Sequence, residues 1–155
     1  MSRKLNTSNG VLSILIGATL GQRYYYKDWN TQGGGRLDMT VTGTGAYTEA
    51  SKSFANTLLK NSYSYDSVGN ITSINDSIWG ETQTFGYDSL YRLTSASATG
   101  GLADYNETYQ YDASTGNLVN KNGLALTYPA PSGSRPHAVT SAGSNTYGAQ
   151  IPQDI

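Results

Sequence analysis

One short pattern is written three times between Asn61 and Asn117, and it limits what this chain can fold into more than any other feature. The copies are Tyr63-Ser-Tyr65-Asp66-Ser-Val-Gly69-Asn70-Ile71, Phe85-Gly-Tyr87-Asp88-Ser-Leu-Tyr91-Arg92-Leu93 and Tyr109-Gln-Tyr111-Asp112-Ala-Ser-Thr-Gly116-Asn117-Leu118. Each reads aromatic, spacer, Tyr-Asp, a short turn, an amide or basic residue, then an aliphatic. Recurrence at roughly twenty residues marks an array of supersecondary units rather than a compact enzyme.

Each position has a physical reading. Strand side chains alternate faces, so the paired rings Tyr63 and Tyr65, Phe85 and Tyr87, and Tyr109 and Tyr111 each share one face. Lateral stacking of units then predicts an aromatic ladder, with cross-strand pairs worth about 0.2–1 kcal/mol each. Asp66, Asp88 and Asp112 end the strands, where a short carboxylate accepts backbone N–H groups about two residues on and fixes a turn. Gly69 and Gly116 permit positive φ where the chain reverses, and Asn70 and Asn117 tolerate that region too. Ile71, Leu93 and Leu118 restart the return strands. Tyr91 stands where the other copies have glycine, and Arg92 where they have asparagine, so that unit does not depend on a glycine-only conformation. The stretch Asp112–Gly116 is one residue longer than Asp66–Gly69, which predicts a wider turn or a bulge. Each unit is thus a β-hairpin, marginal alone and in need of neighbours.

Composition agrees. Among 155 residues there are 13 Tyr and 18 Gly, and only 14% are charged, which favours β-structure with many turns over disorder. A net charge of -1 gives no electrostatic case for nucleic acid or an anionic membrane. The absence of cysteine excludes a disulfide framework and the usual structural zinc sites.

The flanks are less regular. Met1–Gly10 reads as a loose polar lead ending in an Asn9-Gly10 turn. Val11–Ile16 reads as a buried strand; its apolar run is too short for a membrane span, and it is interrupted as a signal peptide core. Tyr24–Val41 reads as a degenerate unit with an enlarged, glycine-rich turn, and its Arg36-Leu37 resembles Arg92-Leu93. The triplet Gly33–Gly35 lacks the Lys-Ser/Thr that a phosphate loop requires. Thr42–Glu49 reads as turn-rich, and Ala50–Lys60 as a helix through Phe54, Leu58 and Leu59 or else a connector. A damaged unit runs from Leu126 through Tyr128 to Thr140, with a short strand at His137–Ser141, and Tyr147 opens a unit that is not completed. The organisation expected is 1–60 partial repeats with loops, 61–141 a hairpin array, and 142–155 an off-pattern tail.

Chemistry is sparse. His137 is the single histidine, with no nucleophile or orienting partner in view, so a structural role beside Pro136 is expected. The three Asp residues are better read as turn caps than as paired catalytic carboxylates or calcium ligands. Trp29, Trp79 and the tyrosines offer platforms for stacking on sugars, although aromatics at strand spacing more often build the sheet. Sequons at Asn6, Asn70, Asn75 and Asn106 matter only in a secretory-pathway protein, and that at Asn70 arises from the repeat itself.

Tyr-x-Tyr-Asp-x-x-Gly-Asn-Ile/Leu and Tyr-Asp-x-Leu-x-Arg-Leu-Thr-Ser resemble the YD repeats of RHS-repeat proteins, and Arg135-Pro136-His137-Ala-Val139 resembles a segment that accompanies them in bacterial members. The good matches cover Ser62–Thr140. The resemblance, which extends to toxin-complex C components and teneurins, implies a long β-sheet spiralling into a hollow shell. In bacterial toxins that shell encloses a C-terminal toxic domain that is delivered to another cell. The fold expected is therefore all-β: tandem antiparallel hairpins forming part of a curved YD-repeat sheet, an open piece of a shell. The function expected is structural, with no catalysis, cofactor or metal. Partners expected are the rest of the array and an enclosed toxin domain, and the isolated chain is expected to self-associate through its sheet edges. The parent protein is expected to be secreted or at the cell surface. The alternative is a carbohydrate-binding or adhesion module using the aromatic rows.

Overall fold

The computed structural model describes residues 3–6, 11–16, 20–30, 34–101 and 104–147, with side chains described from Leu20 onward. Among these residues the regular elements are all strands: β1 (Arg3–Asn6), β2 (Val11–Ile16), β3 (Leu20–Tyr26), β4 (Leu37–Thr48), β5 (Ser53–Tyr65), β6 (Ile71–Asp76), β7 (Glu81–Tyr87), β8 (Leu93–Thr99), β9 (Tyr105–Tyr111), β10 (Leu118–Lys121), β11 (Leu124–Thr127), β12 (Ser141–Ala142) and β13 (Asn145–Thr146). They make one open antiparallel sheet in which strand order follows chain order from β1 to β13. The three Tyr-Asp copies are the hairpins β5–β6, β7–β8 and β9–β10. The degenerate units are β3–β4 and β11–β12.

Several expectations are corrected. Part of the supposedly loose lead is strand β1, paired with β2; the Asn9-Gly10 turn and Gly33 lie outside the described residues. Thr42–Thr48 is not turn-rich but the second half of β4. Ser53–Lys60 is neither helix nor connector but the first half of β5. The helical spacing of Phe54, Leu58 and Leu59 is overridden by the long partner strand, which runs from Thr48 opposite Ser53 to Met39 opposite Ser62. The strand placed at His137–Ser141 begins only at Ser141, because 129–139 form successive turns, closed at Gly133 N to Ala130 O and at Ala138 N to Arg135 O. Pairing runs on through 60/61 and 141/142 without a break.

Register sorts the side chains. One face carries the row Tyr63, Ile74, Gln83, Ala98 and Tyr105, with Phe85 and Ala96 beside it. The other carries Ser64, Ser73, Thr84, Ser97 and Asn106 in register. Neighbouring hydroxyls and amides there bond one another, as in Thr84–Ser97 at 2.7 Å and Asn75–Thr82 at 2.9 Å. The strand alternation thus yields one aromatic and one neutral polar face.

Little is buried in this single layer. Among the described residues the buried apolar side chains are Tyr25, Val41, Ala96 and Ala98. Val41, opposite Arg23, is 0% exposed, and the tip of the β4–β5 hairpin folds back over this part of the sheet. Straight strands would hold Tyr47 more than about 20 Å from Tyr25, which lies opposite Met39. Instead the two hydroxyls are hydrogen-bonded, Arg23 lies 3.9 Å from the Tyr47 ring centroid, and Lys52 lies 4.6 Å from that of Tyr25. Register shifts at Thr42/Gly43 and Thr44/Tyr47 make the bend. Gly43 sits inside it: a Cβ there would come within 2.4 Å of the Asn56 carbonyl and 2.6 Å of Phe54 Cβ. Gly43→Ala is therefore expected to destabilise the chain by about 1–3 kcal/mol through overpacking. A lowered urea midpoint checks this; an unchanged midpoint means that β5 does not approach β4 this closely at Gly43.

Candidate functional site

The repeated chemistry lies at the turn edge of the sheet. Each Tyr-Asp step ends a strand, and the turn after it is closed by a main-chain bond from Asp66 N to Asn70 O, Asp88 N to Arg92 O, or Asp112 N to Asn117 O. Within each turn the carboxylate gathers donors. Asp66 Oδ1 accepts from the N–H groups of Val68, Gly69 and Asn70 at 3.1, 2.7 and 2.9 Å, and Oδ2 accepts from Asn70 Nδ2 at 2.8 Å. Asp88 accepts from Leu90 N and Arg92 N, and pairs with Arg92 Nε at 2.8 Å. Asp112 accepts from both the N–H and the hydroxyl of Ser114 and of Thr115. The carboxylates lie in separate turns, each committed to its own.

The left-handed position falls where expected, with φ of 110° at Gly69 and 75° at Gly116. Tyr91 takes the same position at φ 61°, within reach of an L residue, whereas Gly69 lies beyond it. Asn70, Arg92 and Asn117 follow without positive φ. The longer third turn is wider by one residue, closing from Gly116 N to Asp112 O where the second closes from Tyr91 N to Asp88 O. A bulge is not peculiar to it. Every Tyr-Asp hairpin, and β3–β4 as well, carries one extra residue just after the return-strand aliphatic: Asp38, Thr72, Thr94 and Val119.

The aromatic ladder is replaced by something else. Among the described residues the ring pair in contact is Tyr47–Phe54, away from the repeats. The second tyrosine of each unit instead donates its hydroxyl to a main-chain carbonyl of the preceding unit: Tyr65 to Leu37 at 2.8 Å, Tyr87 to Ile71 at 2.9 Å, Tyr111 to Leu93 at 3.0 Å and Tyr128 to Leu118 at 2.8 Å. The first ring has no common partner. Tyr63 meets Thr40 Oγ1 at 3.4 Å, Phe85 stands opposite Ala96, and Tyr109 donates to Glu107.

In three of the four hairpins the residue before the aliphatic reaches across the same seam. Arg36 donates to the Asp66 carbonyl at 3.1 Å and lies 5.6 Å from the Tyr65 ring centroid; Arg92 lies 4.4 Å from that of Tyr111. Asn117 bonds the Pro136 carbonyl through Nδ2 at 3.0 Å and His137 Nδ1 through Oδ1 at 2.7 Å. The damaged last unit is thereby docked on its neighbour. Sequence reasoning missed this bridging role of Arg36 and Asn117; the signal available was that Arg36-Leu37 and Asn117-Leu118 share a place with Arg92-Leu93. Trp29 and Trp79 are 83% and 58% exposed but sit in turns at opposite edges of the sheet, so they form no shared platform.

The turn bonds shift the carboxyls. Hydrogen bonds from the Ser114 hydroxyl and from Thr115 hold Asp112 at about 2, down from 3.8. The Arg92 N–H and side chain lower Asp88 against partial desolvation. At Asp66 desolvation opposes the charge, but the combined bonds from Asn70, Gly69 and Val68 outweigh it and the pKa falls. A depressed folded-state pKa gives stability present above the unfolded value and lost on acidification through the folded one. Stability is therefore expected to fall as pH drops from about 4 towards about 2, and Asp112→Asn should flatten that slope in urea midpoints measured against pH. Tyr87→Phe leaves the Ile71 carbonyl without its donor and is expected to cost about 0.5–1.5 kcal/mol by urea unfolding, whereas Tyr91→Phe, whose ring is exposed, should change little.

Residues 65–103 match the family model described as the RHS repeat. Comparison with curated proteins found no match. The matched stretch opens on the seam tyrosine Tyr65 and contains the hairpin β7–β8. The units on both sides of it repeat its closing bonds and its seam. Residues 65–103 are thus similar to the RHS repeat, also called a YD repeat, and the same structural plan continues on either side of that match.

Proposed function

We propose that this sheet is a stretch of wall in an RHS-repeat shell that encloses a C-terminal toxin domain and helps deliver it, with no catalysis of its own. The observation that carries the reading is the periodic seam. The Asp, Arg, Asn and Tyr side chains that elsewhere do chemistry are spent on closing turns and on holding the next hairpin. The partners are further repeats, paired along the outer strands β1 and β13, and the enclosed domain. Among the described residues no further strand pairs with the outer edges of β1 and β13, and such edges make the chain by itself prone to self-association. Among the described residues no helix is long and apolar enough to cross a membrane. A secreted or cell-surface location belongs to the parent protein.

The test is limited proteolysis of the protein encoded by the complete reading frame. A domain downstream of the repeats should survive protease that digests the same domain expressed alone. Equal digestion of both, or a frame with no downstream domain, overturns the shell reading. The exposed indoles of Trp29 and Trp79 favour a second reading, glycan binding, with each ring acting singly because they lie at opposite edges. A glycan-array signal lost in Trp29→Ala or Trp79→Ala would support it, and a blank array would remove it.

A further inference from the structure

The junctions between units are not equal. β6–β7 and β8–β9 are well matched for comparison. Each is held by a ladder of four residue pairs and one seam tyrosine. Their side chains differ in three respects.

The first is reach. Arg92 caps its own turn through Asp88 and still lays its guanidinium on Tyr111 across β8–β9. Asn70 occupies the same place but turns its amide back on Asp66, and nothing from it crosses to Tyr87. The second is charge. Asp76 stands directly opposite Glu81 across β6–β7, and like charges so placed destabilise a pair. Across β8–β9 the acid Glu107 faces Ala96 and has Lys121 at 3.6 Å. The third is burial. Ala96 and Ala98, on the β8 side of its junction, are buried, whereas Ile74 and Gln83 across β6–β7 remain half-buried. Two contacts favour β6–β7, both exposed to water: Asn75 to Thr82 at 2.9 Å, and the turn cap in which Asp76 Oδ1 accepts from Ile78 N at 2.8 Å; the loop of β8–β9 has its own cap, Gly100 N to Asp104 Oδ1 at 3.1 Å.

We propose that, of these two matched junctions, β6–β7 is the one that opens first, parting the sheet between β6 and β7 while β8–β9 keeps its pairing. The inference concerns the sheet and stands without an enclosed toxin; on the shell reading, it is where the wall yields.

Hydrogen–deuterium exchange on the whole chain tests it. Amides of the β6–β7 ladder should exchange roughly two- to five-fold faster than those of β8–β9, the ratio that one exposed cation–π contact supplies. Glu81→Gln keeps the acceptor for Gln83 and should slow exchange at β6–β7 while leaving β8–β9 unchanged. Equal or slower exchange at β6–β7 in the unmodified chain overturns the proposal, as does a Glu81→Gln effect spread evenly over both junctions. The unmodified ratio decides even if a variant fails to fold. Failure of the protease-protection test would sink the shell reading and leave this ratio untouched.

Discussion

The hydrogen bond from a tyrosine hydroxyl to a carbonyl of the preceding hairpin is what the rest of the sheet depends on. Its place is set by the backbone. The ladders between units end at Met39–Ser62, Ser73–Thr84, Ser95–Thr108 and Asn120–Ala125. In each case the accepting carbonyl lies two residues before the last paired residue of one strand, and the tyrosine three residues after that of the other. Beyond the last pair the strands separate at the bulge, and main-chain N–H groups no longer reach. The phenol supplies a donor on a long rigid arm where the backbone cannot. Each such bond is worth about 1 kcal/mol net, small beside a packed core but repeated at every junction.

That repetition matters because the sheet has little core. A single layer cannot bury both faces, and the described residues bury only a few apolar side chains. Cohesion comes instead from the ladders, the Asp-closed turns, the seam tyrosines and the cations stacked on them. Contacts of this kind link mainly neighbouring units, so stability is close to a sum over units and junctions, as in other repeat proteins. The exception is the folded-back tip of β4–β5, where Tyr25, Tyr47, Phe54 and Arg23 make a local cluster.

How much of this was legible depended on range. The Tyr-Asp copies gave the hairpins, the turn caps and the left-handed glycines, because each is decided within a few residues. The strand alternation in Tyr63-Ser-Tyr65 gave the faces. The partner of each tyrosine was not legible: two rings on one face suggest stacking, and nothing local says that a phenol will instead reach a carbonyl 16 or 18 residues earlier. The character of 42–60 was misread for a related reason. Gly43, Gly45 and the apolar spacing of Phe54 and Leu58 suggest turns and a helix, but pairing between two long strands overrides those preferences. The bridging roles of Arg36 and Asn117 became visible only once the next turn was placed beside them.

The closing bond of each hairpin has one more consequence. Lys27 N to Arg36 O makes in β3–β4 the same closure that Asp66 N to Asn70 O makes in β5–β6, although the loop between is far longer and Lys27 replaces the aspartate. Bulge and return strand follow unchanged, with Tyr26 opposite Leu37 as Tyr65 is opposite Ile71. What lies outside that bond is therefore mechanically insulated from what lies inside it. The hairpin tips are ports at which sequence can be lengthened, replaced or decorated while the fabric behind them keeps its thread count.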